Sequence, residues 1–186
     1  MTVQPDQVYM ARALRLAGKG LYTADPNPRV GCVLTKAGEI IGEGWHVRAG
    51  EFHAERVALK QAGSKSQGAN AFVTLEPCSH TGRTGPCADE LIEAGGVRVV
   101  CAVLDPNPKV AGTGIRRLKT AGVEVVLGVL EQSAVALNSG YFSRMTRTRP
   151  LIRSKLAVSL DGRTALAGGE SQWITGEAAR ADVHRW

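Results

Sequence analysis

Residues 71–104 read AFVTLEPCSHTGRTGPCADELIEAGGVRVVCAVL, and this stretch decides the fold. Ala71 to Leu75 is a short apolar, partly β-branched run between Asn70 and Pro77, which predicts a buried strand. A loop rich in Gly, Thr and Pro then separates Cys78 from Cys87 and leads into a helix from about Cys87 to Ala94. Val97 to Leu104 reads as the next strand. Strand, loop, helix and strand in that order are the repeating unit of an α/β layer. Upstream, Asp6 can cap a helix in which Val8, Ala11 and Leu14 recur at helical spacing, with Gly18 and Gly20 ending it. Val30 to Thr35 and Glu39 to Trp45 read as a hairpin turned at Lys36-Ala37-Gly38, and Ala54 to Ala62 as a helix stopped by Gly63. Downstream, Ile115 to Ala121 is a helix and Val123 to Leu127 a strand. The alternation implies an α/β layer fold with helices on both faces.

The composition shifts after about Ser139. Arg144 to Pro150 is basic and ends in a proline, the pattern of a solvated connector. Beyond it Leu151 to Val158 resembles a new strand, Asp161-Gly162 a turn, and Thr175 a cap for a helix over Glu177 to Trp186. We therefore divide the chain at residues 1–146 and 147–186, the second part being the opening of a further domain that is cut off. Forty-four per cent hydrophobic and 22% charged residues in a chain of 186 exclude wholesale disorder. No apolar run approaches the ~20 residues of a membrane span, and the N-terminus lacks the basic start and apolar core of a secretory signal. A cytoplasmic protein without membrane contact is expected. Four cysteines without an export signal point to thiols or metal ligands. The net charge of +6 suits an anionic partner, either a phosphorylated metabolite or a nucleic acid.

Three segments carry chemistry: His53-Ala54-Glu55, Pro77-Cys78 and Pro86-Cys87. Singly, each has a plain structural reading: His53 as a helix cap, Glu55 as a charge favoured by the helix dipole, and the cysteines as small hydrophobes. Together, one imidazole and two thiolates make the donor set of an open catalytic zinc site that leaves a fourth position for water. Helix N-termini beside the donors lower thiol pKa values and ease the deprotonation that metal binding requires. The His-x-Glu…Pro-Cys order is the signature of zinc deaminases, in which the Glu moves protons and is not a ligand. Zinc, two thiolates and neutral His53 sum to zero charge, which leaves the ion able to acidify water. Glu55 is then expected to take the water proton, protonate a ring nitrogen, and protonate the leaving amine.

Eight residues, Ser79 to Pro86, lie between the cysteines, unlike the Pro-Cys-x-x-Cys of most nucleoside and nucleic-acid deaminases. Thr74-Leu75-Glu76-Pro77-Cys78-Ser79-His80 with Gly82-Arg83-Thr84-Gly85-Pro86-Cys87 resembles the deaminase domain of the bifunctional riboflavin-biosynthesis deaminase/reductases. So do Asn27-Pro28-Arg29-Val30-Gly31-Cys32-Val33, Asp105-Pro106-Asn107-Pro108 and Val110-Ala111-Gly112. The resemblance implies a three-layer α/β/α sandwich of cytidine deaminase type with a mixed central sheet and one zinc ion. It implies a hydrolase that converts 2,5-diamino-6-ribosylamino-4(3H)-pyrimidinone 5′-phosphate to 5-amino-6-(5-phosphoribosylamino)uracil and ammonia. By position, Asn27, His46, Arg83, Asp105 and Asn107 match substrate contacts, Arg83 being suited to a phosphate. Asp105 and Asn107, each followed by Pro, are equally good turn residues. His46 at a strand end would also serve a structural role, and His80 is either a substrate contact or a brace for the loop. Cys32 and Cys101 sit in strand-like runs and read as core.

The resemblance continues through Ser159-Leu160-Asp161-Gly162-Arg163 and Glu170-Ser171-Gln172-Trp173-Ile174-Thr175, which look like the start of that family's NADPH-dependent reductase domain. Ala157, Ser171 and Trp173 match positions that touch NADP or substrate there. Thirty-seven residues cannot close a nucleotide site, so reductase activity is expected to be absent from this chain. A transfer-RNA or other nucleic-acid base deaminase is the main rival. Against it stand the cysteine spacing, the reductase-like opening, and only three each of Phe, Trp and Tyr for stacking bases, so no nucleic-acid partner is expected. A non-catalytic zinc module would require four protein ligands. A homo-oligomer is compatible with the sequence.

Overall fold

The computed structural model describes residues 5–79 and 85–184. In chain order the elements are α1 (Pro5–Gly18), β1 (Gly31–Lys36), β2 (Glu39–Trp45), α2 (Ala54–Ala62) and β3 (Asn70–Val73). They continue as α3 (Cys87–Glu93), β4 (Arg98–Cys101), α4 (Thr113–Thr120), β5 (Glu124–Leu127), α5 (Glu131–Leu137), α6 (Ser139–Arg147) and α7 (Glu177–Val183). The sheet runs β2-β1-β3-β4-β5. The hairpin of β1 and β2 is antiparallel, β1 meets β3 antiparallel, and β3, β4 and β5 are parallel. This is the mixed sheet that the resemblance implied.

Period-two alternation sorts the strand residues between two cores. Cys32, Leu34, Ala71, Val73, Val99 and Cys101 pack on one face with Ala54, Ala58, Ala88, Leu91, Ile115 and Leu118 of α2, α3 and α4. Val33, Phe72 and Val100 point the other way, onto Met10, Ala13 and Leu16 of α1 and Ala134 of α5. Both faces are covered, so the central strands are apolar throughout. Helix α2 lies hard on β2: a Cβ on Gly44 would stand 2.2 Å from the Ala54 carbonyl oxygen, and one on Gly42 2.3 Å from that of Ala58. Two glycines in one strand thus set the depth of α2, and with it the place of His53 and Glu55.

Several expectations need correction. Asp6 does not cap α1; it lies inside the first turn, and its carboxylate takes two hydrogen bonds from Arg98 at 2.9 and 2.7 Å. The basic segment from Arg144 is not a connector up to Pro150, because α6 continues through Arg147. Tyr141 and Phe142 of α6 pack, with Ala134 of α5, into the α1-side core, and this apolar face keeps the helix going past the exposed arginine side chains. Between α5 and α6, Asn138 accepts from the Arg29 amide at 2.8 Å and donates to the Arg29 carbonyl at 2.9 Å, bridging 109 residues of sequence. Leu151 to Val158 forms no strand; a strand requires a partner edge, and no strand lies among the described residues from 152 onward.

By its contacts the chain forms two units, Met1–Leu151 and Ile152–Trp186. Within the second, the Asp161-Gly162 turn forms, with the Ser159 amide on the Arg163 carbonyl at 2.9 Å. Gly176, not Thr175, precedes α7, and α7 ends at Val183.

Candidate active site

Two helix N-termini, those of α2 and α3, meet the segment that follows the C-terminal end of the central strand β3. His53 stands at the N-cap of α2 in extended conformation, φ −70° and ψ 161°, and its carbonyl accepts the Val57 amide at 3.1 Å. Glu55 follows in the first turn, 3% exposed. Pro86 ends the loop in extended conformation, so Cys87 opens α3. Cys78 leaves the end of β3; its carbonyl takes the Ala88 amide at 3.1 Å, and its sulfur takes the Cys87 amide at 3.4 Å. The His53 ring turns Nδ1 to both sulfurs, 3.2 Å from Cys87 and 3.6 Å from Cys78.

The three donor atoms lie within 4.8 Å of one another. Zinc with bonds of about 2.0 Å to nitrogen and 2.3 Å to sulfur separates tetrahedral ligands by about 3.5–3.8 Å, so the cluster fits that ion. Its charge state fits too. Hydrogen bonds from the Cys87 thiol, and then from His53, hold the Cys78 thiol down to about 4 against its burial. The thiolate so formed, with burial, pushes Cys87 far up, and His53 is raised chiefly by its bond to Cys78. Two sulfurs this close ionise together only around a cation, and a divalent ion would supply it. Burial lifts the Glu55 carboxyl to about 7, opposed by His53, which places a proton acceptor and donor in balance near neutral pH.

A cleft of about 460 Å³ opens above these groups. His53, Glu55 and Cys78 border it, and so do Asn27, His46, Asp105 and Asn107. His46, 3% exposed, places Nδ1 3.1 Å from the Phe52 carbonyl and Nε2 3.0 Å from the Asn27 amide nitrogen. A carbonyl only accepts, so Nδ1 carries the proton and Nε2 accepts from Asn27. Asp105 and Asn107 are turn residues and wall residues at once: Asp105 Oδ1 accepts the Asn107 amide at 2.8 Å, and Asn107 Oδ1 that of Lys109 at 3.1 Å. His80 and Arg83 lie outside the described residues. Ala157, Ser171 and Trp173 belong to the second unit, where all three are exposed and Arg180 stacks 4.2 Å from the centre of the Trp173 ring.

Sequence reasoning missed one wall. Helix α6 brings Tyr141, Arg144 and Met145 to the cleft. Tyr141 donates to Asp105 Oδ1 at 2.8 Å, and burial, before the neighbouring Asp105, raises its phenol. Arg144 donates to the Pro26 carbonyl at 2.8 Å. The apolar recurrence at 134, 137, 141, 142 and 145 was the available signal. Glu76, which also borders the cleft, was quoted in a motif but given no role.

Comparison with known proteins places this geometry. The family profile described as cytidine and deoxycytidylate deaminase zinc-binding region matches residues 3–115, and that of the RibD C-terminal domain matches residues 150–186. The chain is 58% identical over 180 residues to the riboflavin biosynthesis protein RibD of Haemophilus influenzae, covering 97% of this chain and 48% of the relative. RibD of Acinetobacter baumannii has a solved structure that superposes with a TM-score of 0.92 at 55% identity, over 98% of this chain and 51% of that one. A Thermotoga maritima protein described as a diaminohydroxyphosphoribosylaminopyrimidine deaminase/5-amino-6-(5-phosphoribosylamino)uracil reductase superposes with a TM-score of 0.91 at 43% identity, over 97% and 52%. The chain spans about half the length of the curated relatives it matches. With a partly buried His/Cys/Cys cluster that suits a metal and the zinc-binding profile running across it, the chain belongs to the cytidine and deoxycytidylate deaminase zinc-binding family and is similar to RibD proteins along nearly all of its length.

Proposed function

We propose that residues 1–146 form a zinc-dependent hydrolytic deaminase that converts 2,5-diamino-6-ribosylamino-4(3H)-pyrimidinone 5′-phosphate to 5-amino-6-(5-phosphoribosylamino)uracil and ammonia. The observation that carries this reading is the buried Glu55, two residues after His53 and bordering the same 460 Å³ cleft as His53 and Cys78 of the three-donor cluster. His53, Cys78 and Cys87 would hold one zinc ion, which supplies a Lewis acid that makes water a better nucleophile. Glu55 accepts the proton that water gives up and passes it to a ring nitrogen; it then takes the proton of the hydroxyl now on the ring carbon and gives it to the amino group, so that the carbonyl forms as the C–N bond breaks and ammonia leaves. Asn27, Asp105 and Asn107 offer amide and carboxylate groups to ring edges and ribose hydroxyls, and His46, held neutral, fixes Asn27. Arg83 is assigned to the phosphate and His80 to the substrate or the loop, on sequence grounds. Glu55 also answers to its metal-side neighbours, so the test is ammonia release by the zinc-loaded protein and by its Glu55→Gln variant. Release by the first, none by the second and equal zinc content in both are expected. Turnover surviving in Glu55→Gln would overturn the assignment of Glu55, and no release by zinc-loaded wild type would overturn the substrate.

Four free thiols support a reducing, cytoplasmic location, and among the described residues no helix is long and apolar enough to cross a membrane. For NADPH the fit is poor. The described residues of 152–184 hold one helix and no strand, and Ala157, Ser171 and Trp173 are exposed without a common cradle. We derive no reductive step from them.

A further inference from the structure

Glu76 sits between Leu75 and Pro77, two residues before a metal donor, and is 4% exposed. A carboxyl buried so deeply is costly to desolvate unless its oxygens are satisfied. Both are, and the partners share one property: all are backbone amides of residues 105–115, two from the segment before α4 and two from the first turn of α4. Oε1 accepts from Gly114 at 2.9 Å and Ile115 at 3.2 Å. Oε2 accepts from Gly112 at 2.9 Å and Asp105 at 3.2 Å. One side chain thereby gathers both ends of the 105–115 segment. The same two segments also touch through backbone, since a Cβ on Gly114 would stand 1.9 Å from the Pro77 carbonyl oxygen.

We propose that Glu76 is the positioning residue that sets the substrate wall of Asp105 and Asn107 at a fixed distance from the metal donor Cys78. Its path is short: Glu76 Oε2 holds the Asp105 amide, and Asp105 Oδ1 holds the Asn107 amide at 2.8 Å. Both Glu76 oxygens are engaged by these amides, so it acts through the wall it holds. Its effect therefore falls on binding through Asn107 and leaves proton transfer by Glu55 in place. A glutamine of the same size has one oxygen to accept and one NH₂ to donate, so two of the four amides would face a donor. This inference rests on the deaminase reading.

The test is a double-mutant cycle on zinc-loaded protein with Glu76→Gln and Asn107→Ala, read as KM, kcat and zinc content. Glu76→Gln is expected to raise KM about tenfold, to change kcat less than about threefold, and to leave zinc content unchanged. Added to Asn107→Ala it should raise KM little further. Independent, multiplying effects on KM, or a kcat loss with KM intact, would overturn the proposal. Hydrogen exchange supplies a readout that needs no substrate: amides 105, 112, 114 and 115 should exchange faster in Glu76→Gln, while those of β3 keep their protection. Unchanged exchange there overturns the role of Glu76, whereas wild type that releases no ammonia overturns the deaminase reading alone. If Glu76→Gln does not fold, Glu76→Asp, which keeps the acceptors but draws them back by one carbon, takes its place in both experiments with the same criteria.

Discussion

Asn27 donates its side-chain amide to Nε2 of His46 across 3.0 Å, and that bond exists only while His46 is neutral. Burial is the chief reason that His46 titrates below its ordinary 6.5. The unfolded chain therefore binds a proton at His46 first as pH falls, and stability declines from about pH 6.5 downward until the folded value is passed. His46→Gln keeps an acceptor for Asn27 but has no proton to gain. We expect the thermal midpoint of wild type to fall more steeply than that of the variant between pH 7.5 and 5.5. Ring ¹⁵N shifts at pH 7.5 should show Nδ1 protonated and Nε2 bare; the reverse would refute the tautomer.

Arg56 and Glu90 tie together α2 and α3, whose N-termini carry the candidate donors His53 and Cys87. Arg56 Nε donates to Glu90 Oε2 at 2.9 Å, and a second contact joins Nη2 to Oε1. One partner follows Glu55 in α2, the other lies one turn after Cys87 in α3. Arg56→Ala is expected to weaken zinc binding about tenfold, the ordinary scale for groups that orient ligands without touching the ion. Competition with a chromogenic chelator measures it. The charge-swapped pair, Arg56→Glu with Glu90→Arg, should recover part of the loss.

Gly44 and Gly140 make a matched contrast. Alanine at Gly44 would drive a Cβ against the Ala54 carbonyl oxygen, whereas at Gly140, in the first turn of α6, it would meet nothing within 4 Å. Gly44→Ala should cost about 2–3 kcal/mol, the upper end of overpacking. Gly140→Ala should change stability by less than about 1 kcal/mol, and in the favourable direction. Urea denaturation of both variants checks this.

The Asp6–Arg98 pair gives an acid-side signature. The Arg98 hydrogen bonds hold Asp6 below its ordinary 3.8, so its folded value is depressed. Its contribution is complete above about pH 3.8 and is lost as pH falls through the lower folded value. Asp6→Asn should destabilise at pH 7 and cease to differ from wild type in strong acid. A gap that persists there would assign the effect to packing.

Much of this site was legible before any coordinates. The helix starts at His53 and Cys87 and the strand ending before Pro77 could be read because Pro, Gly and apolar runs mark them locally. Those three segments carry the metal donors and Glu55. What stayed hidden depends on distant partners. The charges of Arg144 and Arg147 mask the apolar spacing that packs Tyr141 and Phe142 of α6 against the α1-side core. Asp6 has the chemistry of a cap, but Arg98, far along the chain, claims it. The role of Glu76 leaves no residue-type trace in the sequence, since its partners are backbone amides at and before the start of α4. Leu151 to Val158 has strand propensity but no edge to pair with among the described residues, which is why propensity misled.

The bridge between Asn138 and the Arg29 backbone has a consequence for how the protein is made. A ribosome releases His53, Cys78 and Cys87 well before Tyr141, and the loop that carries Asn27 must wait for residues 109 positions later to be clasped. The Asn27 side of the cleft is therefore tied to completion of the first unit, long after the three candidate donors have been made.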